Sequence, residues 1–253
     1  MVQGLTEFLP VSSSGHLVFF QSVFGLTEPQ LAFDVMLHLG TLLAVVVYFR
    51  ADIVRILRGT WTWLKERREG ESEAKLLLWI VVASVPTGLM GLLFKDWFES
   101  LFSMPKTVGL MLLVTGLVLW LTRSVKRNEK SAGEMGVIDA LIIGIAQGVA
   151  IIPGISRSGA TISTGLFRRL NRELAGKFSF LLSIPAILGA TLLEFRKIDT
   201  GSGIGVTFIG MAVSFIVGLF SLKLLMGIVK KGKLTHFSYY CWAVGILMIL
   251  LAK

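Results

Sequence analysis

Cysteine is nearly missing from this sequence: Cys241 is the only one, and it lies inside an apolar run. No intrachain disulfide can form, and no zinc-type spacing of Cys and His occurs. Charge is scarce as well, at 16% of 253 residues, against roughly 25% in soluble domains. Acidic residues are the scarcer sign, with 16 Asp and Glu against 25 Lys and Arg. The segment Met1–Glu7 has neither the basic start nor the clean apolar stretch of a secretion signal, so none is read there. What remains is apolar: 54% hydrophobic residues, 17 Phe, 6 Trp and 27 Gly. Together with a mean hydropathy of +0.76, this excludes a disordered chain and an ordinary cytosolic enzyme. The formal charge of +9 would suggest nucleic acid on a soluble protein, and here it has to be tested against membrane topology first.

Six stretches are long and apolar enough to cross a bilayer: Leu31–Phe49, Leu76–Phe94, Thr107–Leu121, Leu174–Phe195, Gly203–Ile228 and Phe237–Leu251. Charged connections separate them, as at 50–75, which carries Arg50, Arg55, Arg58, Lys65, Arg67, Arg68 and Lys75. The next connection holds only Lys95 and Lys106, offset by Asp96 and Glu99. Basic and poorer loops continue to alternate along the chain, as the positive-inside rule requires. The basic surplus is therefore read as topology, and no nucleic-acid partner is expected.

Two further segments, 1–24 and 136–170, are apolar but cut by Pro, Ser and Gly. Each reads as a short helix, a polar turn and a second short helix, too short to cross twice, hence re-entrant. They align with each other: Gln3/Gln147, Gly4/Gly148, Ser12/Ser156, Ser14/Ser158 and Gly15/Gly159 coincide at one constant offset. Each hairpin precedes three spans, so the second copy begins on the opposite side of the membrane. The expected fold is an all-α integral membrane protein of one domain over 1–253. It is an inverted-topology repeat, about 1–123 and 136–253, with six transmembrane helices and two re-entrant helical hairpins. Interrupted segments at matching places in such halves point to a site near the midplane.

Pooled, the two tips offer Glu7, His16, Arg157 and the hydroxyls of Ser12, Ser13, Ser14, Ser156, Ser158 and Thr161. Gly-rich turns such as that at Gly159 and helix N-termini bind phosphate through unpaired amides. Arg157, deep between apolar flanks, adds a planar fork suited to phosphate oxygens. Glu7 could pair with Arg157, bind a divalent cation alongside a phosphate, or take a proton. His16 could attack phosphorus, act as acid or base, or be a hydrogen-bonded structural histidine. Ser13 stands opposite Arg157 in the repeat and could be activated by a nearby base. Asp34 and His38 share a helical face and could give outer support or form a structural hydrogen-bond pair, and His236 sits at a loop edge.

The strings Gln3-Gly-Leu-Thr-Glu7, Pro10-Val-Ser-Ser-Ser-Gly-His16 and Pro153-Gly-Ile-Ser-Arg157-Ser-Gly-Ala-Thr161 resemble the undecaprenyl-diphosphate phosphatase, or bacitracin-resistance, family. Phe33-Asp-Val-Met-Leu-His-Leu-Gly-Thr41 and Phe178-Ser-Phe-Leu-Leu-Ser-Ile-Pro185 extend the likeness over almost the whole chain. The resemblance implies a multi-pass enzyme of the bacterial inner membrane with its site facing outward. Such an enzyme hydrolyses the C55 prenyl diphosphate to the monophosphate, recycling the carrier for peptidoglycan and conferring bacitracin resistance. It also implies a divalent cation, Mg²⁺ or Ca²⁺, near Glu7 and Gln3, and catalytic work by Glu7, Ser13, His16 and Arg157. Two copies could pair as a homodimer. Relatives carry several more apolar residues before the Gln3 position, so either the start lies further upstream or the first half-helix is short here. A phosphatidic-acid phosphatase of the second type is rejected, since its second His would fall near Ser163. The remaining alternative is a lipid-phosphate flippase or transporter on the same inverted-repeat scaffold.

Overall fold

The computed structural model describes residues 1–24, 31–66, 70–125, 129–195 and 204–251, and these are almost entirely helical. The first hairpin is α1 (Val2–Thr6) and α2 (Ser13–Phe24). Then come α3 (Leu31–Tyr48), α4 (Arg50–Glu66), α5 (Glu71–Leu93), the short α6 (Lys95–Leu101) and α7 (Pro105–Leu121). The second hairpin is α8 (Val137–Val149) and α9 (Arg157–Phe167), followed by α10 (Arg172–Phe195), α11 (Ile204–Lys230) and α12 (His236–Leu251).

Each stretch expected to span falls on one helix, namely α3, α5, α7, α10, α11 and α12. Among the described residues, four helices are long and apolar enough to cross a membrane, or up to five if the bent α3–α4 pair counts as one span. Apolar side chains that no core covers, such as Leu92 at 62%, Phe220 at 67% and Leu250 at 75% exposure, fit a lipid solvent. Two differences from the sequence reading have physical reasons. The last span, α12, has 16 residues, about 24 Å of rise, short of a core of roughly 30 Å. The charged connection after α3 is largely a helix: α4 turns 67° away from α3. Its exposed Val54, Leu57, Trp61 and Leu64 recur at helical spacing, among Arg50, Arg55, Arg58 and Lys65.

The halves are interleaved. The first hairpin helix, α1, packs on α11 of the second half, and α8 packs on α5 of the first. Close approach explains small residues at both contacts. A Cβ on Gly4 would lie 2.7 Å from the Ser214 carbonyl oxygen, and one on Gly144 would lie 2.2 Å from that of Ala83. The tips of the hairpins also touch reciprocally. The Gly15 side of the first faces Gly154, while Gly159 of the second faces Pro10, the position that matches Gly154 in the repeat. Beneath the tips a single large core runs through Phe8, Val11, Phe49, Ile143, Ile162, Phe178 and Phe180. Both Ser-rich turns therefore rest on packed side chains.

Candidate active site

Both hairpins build their second helix with the same device. Ser12 Oγ accepts from the Gly15 N–H at 3.2 Å, and Ser156 Oγ accepts from the Gly159 N–H at 3.1 Å. These serines cap their helices, satisfying one of the orphaned N–H groups of the first turn. Each also touches the serine two residues on, Ser14 at 3.2 Å and Ser158 at 3.3 Å. The turns differ in backbone conformation: Ser12 has a left-handed φ of 65°, whereas Ser156 has an extended −77°. A non-glycine residue in that region stores strain and persists only when its surroundings hold it there.

Between the tips lies a cavity of about 320 Å³. Glu7, Ser12, Ser13, Ser14, Ser156 and Arg157 line it, together with Thr6, His38, Thr87, Gln147 and Thr191. Val35, Phe102, Ile151, Ile155 and Ile187 give it an apolar wall. The charged centre is an ion pair across the two halves: Arg157 Nη2 donates to Glu7 Oε1 at 2.9 Å. Both side chains are largely buried, at 16% and 8% exposure. Ser13 Oγ donates to the other oxygen, Glu7 Oε2, at 2.7 Å. The same oxygen accepts from Gln3 Nε2 at 3.0 Å. Gln3 Nε2 lies 3.2 Å from His38 Nδ1, and that nitrogen is 3.9 Å from Glu7 Oε2.

Two polar atoms of the lining residues, Arg157 Nη1 and Gln147 Oε1, are buried with no partner among the described residues. A guanidinium N–H left unpaired away from water is costly, so an acceptor is wanted beside it. The arrangement can hold an oxyanion at Arg157. At the same place it offers a serine hydroxyl already bonded to a carboxylate.

The other expected site residues lie behind the cavity wall rather than on it. Thr161 Oγ1 donates to the Arg157 carbonyl at 2.8 Å and meets Ser179 Oγ at 2.6 Å. Ser158, Gly159 and Thr161 thus brace the turn that carries Arg157. His16 is 4% exposed and is absent from the lining residues. Its Nδ1 lies 2.8 Å from the Ser12 carbonyl and its Nε2 2.7 Å from the Tyr240 hydroxyl. The Asp34 side chain falls outside the described residues. His236 keeps to the end of α12, with Nδ1 3.1 Å from the Lys233 carbonyl.

Sequence reasoning missed Gln147, Thr87 and Tyr240. The match of Gln147 to Gln3 in the repeat was a usable signal for the first. Thr87 bonds the Gly144 carbonyl at 2.9 Å from a position with no motif around it. Tyr240 sits in an apolar run far along the chain and offered no signal. Among the described residues no group of three or more His, Cys, Asp or Glu is placed to hold a metal ion.

Residues 1–247 match the family model described as bacitracin resistance protein BacA. The chain is 46% identical over 257 residues to a protein of Carboxydothermus hydrogenoformans named undecaprenyl-diphosphatase, covering 99% of this chain and 94% of the relative. A protein of the same name from Desulforapulum autotrophicum is 47% identical over 261 residues, covering 99% and 95%. One from Desulfosudis oleivorans is 48% identical over 262 residues, covering 97% and 93%.

Proposed function

The chain belongs to the bacitracin resistance protein BacA family, and from that premise we propose that it does what its relatives are named for. It is a membrane phosphatase that hydrolyses undecaprenyl diphosphate to undecaprenyl phosphate and inorganic phosphate. This returns the lipid carrier to cell-wall synthesis and lowers the diphosphate that bacitracin targets, hence resistance. The observation that carries the reading at the level of atoms is the buried, unpartnered Nη1 of Arg157. Beside it stand Glu7 and Ser13, already hydrogen-bonded to each other.

In this reading Arg157 grips the diphosphate and stabilises charge on the transferring phosphoryl group, which is most of what such a reaction requires. Ser13 Oγ attacks the terminal phosphorus while its proton passes to Glu7. The bond from that phosphorus to the bridging oxygen breaks, and undecaprenyl phosphate leaves. Glu7 passes that proton to the departing phosphate; water then attacks the phosphoserine, giving a proton to Glu7, which returns it to Ser13 Oγ as phosphate is released. The amides and hydroxyls of Ser12, Ser14 and Ser156 complete the cradle, and Ser158, Gly159 and Thr161 hold its second turn. The apolar wall of Val35, Ile151 and Ile187 suits the first units of a prenyl chain, which leaves sideways into the bilayer.

A divalent cation, Mg²⁺ or Ca²⁺, fits the donors on one condition. Among the described residues Glu7 is the sole carboxylate lining the cavity and Gln3 adds an amide, so substrate phosphate oxygens must supply further ligands, as Mg²⁺ commonly allows. Glu7 and Gln3 would hold it, and it would neutralise phosphate charge. The reciprocal tip contacts and the paired packing of α1 on α11 and α8 on α5 support an inverted repeat of six spans and two re-entrant hairpins. With the first hairpin entering from outside, the site opens to the outer face of the inner membrane. A homodimer is compatible with this arrangement.

The test is phosphate release by the full chain in detergent from a long-chain prenyl diphosphate with Mg²⁺. Release is expected from the wild type and lost in Glu7→Ala and Arg157→Ala. A protein that releases none, yet moves the lipid across vesicles, would be the transporter instead.

A further inference from the structure

The first hairpin has the strained turn, and it alone has an imidazole under that turn. At the matching place in the second hairpin stands Ala160, and Ser156 keeps an extended φ of −77°. There the Ala160 N–H donates to the Ser156 carbonyl at 2.8 Å, an ordinary first-turn bond. In the first hairpin the corresponding bond, from the His16 N–H to the Ser12 carbonyl, stretches to 3.2 Å. The His16 ring makes up the difference, with Nδ1 donating to the same carbonyl at 2.8 Å. A neutral ring donating through Nδ1 is an acceptor at Nε2. That nitrogen takes the Tyr240 hydroxyl at 2.7 Å, with the two rings within 5° of parallel.

Tyr240 belongs to α12, so this contact ties the last helix of the chain to its first turn. The next residue repeats the connection, since Cys241 Sγ donates to the Pro10 carbonyl at 3.5 Å. Both ring nitrogens of His16 are thereby occupied, and the ring lies outside the cavity lining. We propose that Tyr240 is a positioning residue. Through His16 it locks the left-handed Ser12 turn so that the neighbouring Ser13 Oγ meets Glu7 in the geometry for attack. His16 is then a strut rather than the phosphoryl acceptor. The proposal rests on the phosphatase reading above and deepens it.

Strain of this kind is kept only where the surroundings over-determine it. A reacting atom displaced by about 1 Å can cost roughly 10²-fold in rate. Because Arg157 grips the phosphate independently of this strut, the loss should fall on turnover rather than on binding. The experiment is a double-mutant cycle on the full chain in detergent, with Tyr240→Phe, His16→Ala and the pair. It is read as kcat and KM for prenyl diphosphate hydrolysis, with thermal unfolding alongside. Tyr240→Phe is expected to lower kcat about 10- to 100-fold, with KM within about threefold of wild type. The double variant should be no slower than His16→Ala alone, because Tyr240 acts through that ring. Wild-type turnover in Tyr240→Phe, losses that multiply in the pair, or a loss in KM alone would overturn the proposal. So would a phosphohistidine at His16 trapped from wild-type turnover, a result that does not depend on how well any variant folds. If the wild type releases no phosphate, the phosphatase reading itself fails. If the wild type is active and the cycle is additive, only the strut fails.

Discussion

Replacing Arg157 by lysine keeps the charge and removes the fork. In the structure Nη2 of the guanidinium donates to Glu7 at 2.9 Å, and Nη1 is buried with no partner among the described residues; in the proposed function a phosphate oxygen supplies one. A lysine has one nitrogen, a compact point charge, and cannot hold both partners in that planar geometry. One charge-assisted hydrogen bond is lost when substrate binds, worth about 1.5–3 kcal/mol. At about 1.36 kcal/mol per decade, kcat/KM should fall roughly 10- to 150-fold. The assay is phosphate release in detergent at saturating Mg²⁺ over a range of prenyl diphosphate. Stability should barely change, because the ammonium can still neutralise Glu7. Arg157→Ala should behave differently, stranding a carboxylate of 8% exposure at a cost of about 3–5 kcal/mol. Adding Glu7→Gln to it should restore most of the melting temperature and none of the activity. Activity of Arg157→Lys within threefold of wild type would refute the reasoning that the second N–H is the phosphate grip.

Three further outcomes follow from the same geometry. Chelation should abolish phosphate release, and Mg²⁺ or Ca²⁺ should restore it, while Gln3→Ala should raise the cation concentration needed; full activity in chelator would exclude the cation. Gly144→Ala puts a methyl group 2.2 Å from the Ala83 carbonyl and should cost about 1–3 kcal/mol, read as a lower melting temperature in detergent; an unchanged midpoint would count against the α5–α8 contact. Gln147→Leu removes a buried oxygen that has no partner among the described residues together with the Nε2 donation to Thr87 Oγ1 at 3.3 Å, two opposing effects, so stability should change little. Its KM for the prenyl diphosphate should nevertheless rise severalfold, and an unchanged KM would separate Gln147 from the substrate.

The hairpins were legible because their chemistry is local. Pro, Ser and Gly interrupt apolar runs, and the repeat between Ser12 and Ser156 reappears as the same cap at nearly the same distance. The meeting of Glu7 with Arg157 was also readable, since each is ionisable at depth and each needs a partner. Positions of the long helices followed from apolar runs bounded by charged connections. What escaped depended on tertiary placement. A charge-rich stretch such as 50–66 reads as a connection, although Val54, Leu57, Trp61 and Leu64 carry helical spacing that a closer count would find. His16 beside a serine turn looks like a catalytic imidazole until Tyr240, 224 residues away, is seen to hold its second nitrogen. Thr161 and Ser158 looked like phosphate ligands, but their hydroxyls are spent on the turn that carries Arg157. Residue type singled out the two turns that meet at the cavity, and only packing separated the residues that face it from those that hold it in shape.

The central claim is that the two hairpin tips form one phosphatase centre in which Ser13 receives the phosphoryl group. Quenched turnover with a prenyl diphosphate labelled on its terminal phosphorus tests this most directly. The account predicts acid-stable label on the peptide containing Ser13, lost in Ser13→Ala and in Arg157→Ala. Label on His16, or phosphate release at the wild-type rate from Ser13→Ala, would contradict it.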